Sequence, residues 1–170
     1  MLEVTPVAKR RYRAIDVKKA RVEGLWSELV GERVIIGIDI AKEKMFGAVM
    51  DELQRVHLTV RWSHPSESRG SLRFLHEIRT QVEWIEAVME PSGDGDALRH
   101  GLQQAGDPVF RVNPKRSHDA AEVYDRVPSL HDAKCAAIVA KLHLAGASEL
   151  WPAREGVERE LAALMQVAHV

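Results

Sequence analysis

The sequence predicts an α/β fold: a mixed five-stranded sheet with helices on its faces. Two observations carry this. Residues 34 to 62, "VIIGIDIAKEKMFGAVMDELQRVHLTVRW", hold three runs of strand character separated only by "AKEK" and "DELQ", and such short connections make antiparallel neighbours. From residue 70 onward, strand and helix patterns alternate, which implies parallel strands joined by helical crossovers. At 170 residues and 45 % hydrophobic content, the chain suits one domain with appendages.

The elements follow in order. Strands are expected at about 34–39, 45–50 and 55–62. After the "SHPSESRG" break, Leu72, Phe74, Leu75 and Ile78 recur at helical spacing. "VEWIEAVME" reads as a fourth strand, "GDALRHGLQQAG" as a helix closed by glycine, and "PVFRVN" as a fifth strand. "PKRSHDAAEVYD" and "SLHDAKCAAIVAKLHLAG" read as two further helices. The final stretch, "GVERELAALMQVAHV", is helical, with Val157, Leu161, Leu164, Met165 and Ala168 on one side. Such a helix needs a partner, either this domain or something beyond.

The formal net charge of -1 excludes a globally basic nucleic-acid binder, so charge is read by segment. Residues 1 to 21 hold seven Lys or Arg (Lys9, Arg10, Arg11, Arg13, Lys18, Lys19 and Arg21) against Glu3 and Asp16, a local +5. This arm is either a solvated extension or a phosphate-contacting one. The one cysteine, Cys135, cannot staple a fold, and no apolar run reaches membrane-spanning length. With no signal-peptide pattern at the start, a soluble, reduced and cytoplasmic setting is expected.

Three acids stand out. Asp39 ends the strand expected to be most buried, where a charge is costly unless hydrogen-bonded, paired or bound to a cation. Glu90 ends the fourth strand in the same way, before Pro91, and would emerge beside Asp39 if the two strands are neighbours. Asp132 shares a helical face with Cys135, Ala136, Val139 and Ala140; it is either a helix-start residue with Ser129 as cap, or a third member of the group. Converging, the three make a hard-cation site for Mg²⁺ or Mn²⁺, of the kind that serves phosphoryl transfer. The competing possibility is a sheet edge with solvated acids. Lys115 and Arg116, directly after the fifth strand, are either phosphate ligands or a solvated helix start. The eight histidines show no zinc spacing and read mostly as surface residues, with His131 beside Asp132. The four tryptophans read as core or interface, and the glycines of "SGDGD" as a turn.

Taken in order, "GIDIAKEK", "MEPSGDG", "VNPKR" and "SLHDAKCAAIVAKLH" resemble the motifs of DEDD-type insertion-sequence transposases, relatives of the Piv and MooV site-specific DNA invertases, some of which are guided by a bridge RNA. The resemblance covers about residues 34 to 145. It implies a ribonuclease-H-like, Holliday-resolvase-like fold, with Asp39, Glu90 and Asp132 as catalytic metal ligands for Mg²⁺ or Mn²⁺, and DNA, with a guide RNA in some members, as partner. The chain is expected to divide into a basic N-terminal extension with a helix (1–32), the DEDD domain (33–147) and the start of a helical linker (148–170), with the C-terminal helix as the candidate contact of a homo-oligomer. Two departures follow. Ser129 stands where the family has an earlier aspartate, with Val127 and Pro128 in place of Lys-Thr, so the fourth acid is missing unless Asp125 substitutes for it. The C-terminal domain that supplies a serine nucleophile is also not in this sequence, so an incomplete recombinase is expected. A stand-alone junction resolvase is the rival within the fold and would cut branched DNA unaided. A non-catalytic binding remnant would hold nucleic acid or protein in EDTA. An actin-like ATPase half would bind nucleotide.

Overall fold

The computed structural model describes residues 13–25, 27–41, 43–123, 131–153 and 164–165, and the side chains of all of these except 122, 123 and 131–133. Five strands match the expectation: β2 (Arg33–Ile40), β3 (Lys44–Met50), β4 (Val56–Ser63), β5 (Trp84–Met89) and β6 (Val109–Arg111). Two short strands, β1 (Ile15–Asp16) and β7 (Glu149–Leu150), extend the sheet to seven, in the order β1-β4-β3-β2-β5-β6-β7. The β2–β3 and β3–β4 pairs are antiparallel, whereas β2–β5 and β5–β6 are parallel. This is the mixed sheet expected of a ribonuclease-H-like fold.

The two extra strands correct the count of five. Each is two residues long, too short to show a period-2 pattern. Both are held by backbone and flanking contacts. Val17 N donates to Arg61 O at 2.9 Å beside β1, and Trp151 N donates to Val109 O at 2.8 Å beside β7.

Helices cover both faces. On one lie α1 (Ser68–Arg79) and α2 (Asp96–Gln104); on the other lie α3 (Pro114–Val123) and α4 (His131–Leu144). The alternation of β2 divides the core: Val34, Ile36 and Ile38 pack with Phe74, Leu75, Ile78, Leu98 and Leu102, while Ile35 packs with Val88, Ala136, Ala137 and Ala140. As expected, Phe74, Leu75 and Ile78 form the buried stripe of α1. Gly106 and Gly146 close α2 and α4 with φ of +91° and +79°, conformations that favour glycine.

Gly37 sets how closely α4 approaches the sheet. A Cβ there would lie 2.1 Å from the carbonyl oxygen of Ala136 and 2.9 Å from the Cβ of Ala140. Glycine on the strand and alanines on the helix therefore permit a close approach that larger residues would block.

Two histidines expected at the surface are buried instead. His57 and His143 are 7 % and 8 % exposed, and each is bonded to a buried acid. Among the tryptophans, Trp62 is core and Trp84 is exposed; Trp151 packs against the α1/α2 side of the core, and Trp26 lies outside the described residues.

Candidate active site at the carboxyl edge of the sheet

Parallel register places the first two acids together. Ile38 of β2 pairs with Met89 of β5, so Asp39 and Glu90, each one residue further on, leave neighbouring strands at the same level. They also share a face. Ile38 and Met89 belong to the core under α1 and α2, and Ile35 and Val88 to the core under α4, so the alternation puts both acids on the α4 side. Both are half-buried. Glu90 makes no hydrogen bond or ion pair with any described residue. The turn after it folds back on β2: Gly95 leaves room for Ile40, whose Cδ1 would lie 2.2 Å from an added Cβ.

Helix α4 runs antiparallel to β2 and β5. Ala136 and Ala140 lie over Gly37, while His143, nearer the helix end, donates from Nε2 to Glu86 Oε1 at 3.0 Å. Glu86 pairs with Ile35, toward the amino end of β2. Moving the other way, Asp132 precedes Ala136 by four residues, about 6 Å of helix, and Asp39 follows Gly37 by two residues, about 6.6 Å of strand. The backbone of Asp132 thus lies level with Asp39 at the same edge; its side chain is outside the described set. So are Ser129, Asp125, Val127 and Pro128. Among the described residues, no group of three His, Cys, Asp or Glu side chains could hold a metal ion. The donor chemistry still suits a hard cation, because two carboxylates emerge together and a third acid's backbone is at their level.

The basic candidates separate. Lys9, Arg10 and Arg11 lie outside the described residues. Arg13 is exposed just before β1, on the far flank of the sheet from β6. Lys115 and Arg116 are exposed in the first turn of α3. That turn is organised by Asn113, whose Oδ1 accepts from Lys115 N at 2.9 Å and whose carbonyl accepts from Arg116 N at 2.9 Å. The "NP" pair in "VNPKR" is the visible signal for this cap.

Beside Pro91, the residue after Glu90, a cavity of about 560 Å³ opens between the β6–α3 turn and the loop from α4 to β7; Arg111, Asn113, Arg116, Ser148 and Glu149 line it. Sequence reasoning missed Arg111, which ends a strand like many solvated cations. It also missed Ser148, which only the tertiary fold brings here.

The model of the IS110-type DEDD transposase family, described as a transposase, matches residues 36–169. The chain belongs to that family. The match runs from Ile36 within β2 past β7 and takes in Asp39, Glu90 and Asp132. No curated protein matches this transposase-family chain closely enough to add a relative. No helix among the described residues is long and apolar enough to cross a membrane.

Proposed function

We propose that this transposase-family domain binds DNA and a divalent cation at the carboxyl edge of the sheet, with Asp39, Glu90 and Asp132 as the ligands. The observation that carries this is the pair of acids in adjacent register on one face, with Glu90 lacking any partner among the described residues. Two like charges so placed repel, and a cation bound between them relieves that repulsion. Oxygen-only donors select Mg²⁺ or Mn²⁺ over softer metals. When bound, such an ion supplies activation of an attacking oxygen and charge neutralisation on a phosphate. The protein's own part is positional: β2 and β5 fix two carboxylates on rigid strand ends, and the close α4–Gly37 contact holds the third acid's helix against them. Lys115, Arg116 and the basic arm (Lys9, Arg10, Arg11 and Arg13) supply contacts to the DNA backbone that carry no sequence information. A guide RNA, as in some relatives, would meet the same cations.

The proposed DEDD domain spans 33–147 between a basic extension and the start of a linker, and β1 and β7, from those two flanking segments, join its sheet at either edge. Leu164 and Met165, helical and exposed, offer an apolar face through which the C-terminal segment would pair with a second chain. Ser129 at the family's fourth acid position supports a second reading, a nucleic-acid-binding domain with weakened chemistry. The deciding experiment is calorimetric titration of Mg²⁺ and Mn²⁺ into wild type, Asp39→Ala and Ser129→Asp. Weak binding by wild type, none by Asp39→Ala and tighter binding by Ser129→Asp is expected. Identical titrations for all three would exclude the metal assignment and favour the binding module.

A further inference from the structure

The cavity beside Pro91 is bounded by Arg116, named above among the backbone contacts, and by Arg111, which that reading does not use. Arg116 is exposed, and its guanidinium has no partner among the described residues. Arg111 ends β6 level with Met89, one residue below Glu90, and its Nε lies 3.7 Å from Glu149 Oε2. That pairing is loose, since the Glu149 side chain is 78 % exposed.

The opposite wall is held from inside the sheet. Ser148 is bonded through Oγ to His143 Nδ1 at 2.6 Å, and His143 Nε2 reaches Glu86 Oε1 at 3.0 Å, with Phe110 against the imidazole at a centroid distance of 4.4 Å. Glu86 is 5 % exposed and is also paired with Arg33. A chain from buried Glu86 through buried His143 to half-buried Ser148 therefore fixes the α4–β7 loop, and the cavity keeps its shape without a ligand.

We infer that this cavity seats a second backbone phosphate of the DNA strand, next to the phosphate held at the acidic edge, with Arg116 and Arg111 as its ligands and Glu149 as a competing anion. The inference rests on the functional reading above, because it places the strand across β2, β5 and β6 in turn. The cavity is lined by Pro91, the residue after Glu90, and so borders the acidic edge. Guanidinium pairs suit phosphate oxygens; Arg111, whose guanidinium also lies 5.9 Å from the Trp151 ring centroid, would exchange Glu149 for the phosphate beside Arg116.

The test measures binding of the full chain to a labelled short single-stranded DNA over a salt series, in EDTA and again in Mg²⁺. Arg116→Ala is expected to weaken binding several-fold in both buffers and to lower the salt slope by about one. Glu149→Gln is expected to tighten binding, and Arg69→Ala, an exposed cation on α1, to leave the slope unchanged. Wild-type affinity and slope in Arg116→Ala, or an equal loss in Arg69→Ala, would overturn the pocket. Magnesium titrations separate the two ideas. If Asp39→Ala loses metal while Arg116→Ala binds DNA normally, the pocket is wrong and the acidic edge stands. If Asp39→Ala binds metal normally while Arg116→Ala is weakened, the acidic edge is wrong and the phosphate pocket stands.

Discussion

Asp51 and Glu86 are acids the fold has consumed, whereas Glu90, beside Asp39, is an acid it leaves at an edge. Asp51 is wholly buried: its Oδ1 accepts from Leu53 N and Arg55 N at 2.9 and 3.0 Å, and its Oδ2 accepts from His57 Nε2 at 2.7 Å. Glu86 accepts from His143 and Arg33. Every oxygen of these two faces a donor. Glu90 is half-buried with no described partner, at the end of the sheet where helix α4 begins. Burial with satisfied hydrogen bonds marks a structural acid; partial burial beside a like charge marks one whose partner comes from outside.

The largest effect that tests this contrast belongs to Asp51. Asp51→Ala leaves His57 and three backbone donors of the β3–β4 hairpin and the residue-30 segment without their acceptor, and should cost about 3–5 kcal/mol in denaturant unfolding. The same carboxylate gives the stability a pH dependence. Burial pushes the Asp51 carboxyl up, but hydrogen bonds from His57, Arg55 N and Val30 N outweigh it and hold the group below its ordinary value of 3.8. A folded value below the unfolded one means the contribution is fully present above about pH 4 and is lost as pH falls through the folded value. Asp51→Asn should flatten that acid limb. An unchanged acid limb in Asp51→Asn would show that Asp51 is not its source.

Next in size is Gly37→Ala. Its Cβ would meet backbone, the Ala136 carbonyl, so α4 must move rather than a side chain turn aside. A loss of about 2–3 kcal/mol is expected. Because α4 carries His143 at one end and Asp132 at the other, the variant couples the two kinds of acid. It should weaken both the Glu86–His143 bond and Mg²⁺ binding. A variant that lost stability yet kept wild-type Mg²⁺ affinity would separate α4 from the acidic edge.

The same contrast explains what could be read from the chain. The strands β2 to β6 and the helices announced themselves by period, and Asp39 and Glu90 by a charge closing an apolar run. The consumed acids did not. Glu86 sits inside "WIEAV" with its partner His143 57 residues away, and no local pattern links them. Asp51 looked like the first residue of a turn, and its His57 like a surface residue, because burial there depends on the segment around Val30 packing over the hairpin. The cavity was illegible for the same reason: its walls at 111–116 and 146–149 meet only through β7 and the His143 chain. Local chemistry shows in local sequence, whereas a site made of loops from distant segments needs the tertiary fold.

The smallest expected effect is also the sharpest test of the edge. Glu90→Ala removes a carboxylate that bonds no described residue, and it relieves repulsion with Asp39. Its folding stability without metal should therefore stay within about 0.5 kcal/mol of wild type. Added Mg²⁺ at ten times its dissociation constant should stabilise wild type by about 1.4 kcal/mol, and Glu90→Ala by much less. Thermal unfolding with and without Mg²⁺ measures both quantities on the same samples. A large loss of stability in metal-free Glu90→Ala would move this residue into the company of Asp51 and Glu86, as an acid the fold uses for itself. Near-neutral folding combined with a lost Mg²⁺ response would keep it apart, since a residue that contributes little to the fold and much to cation binding is held at that edge for its ligand.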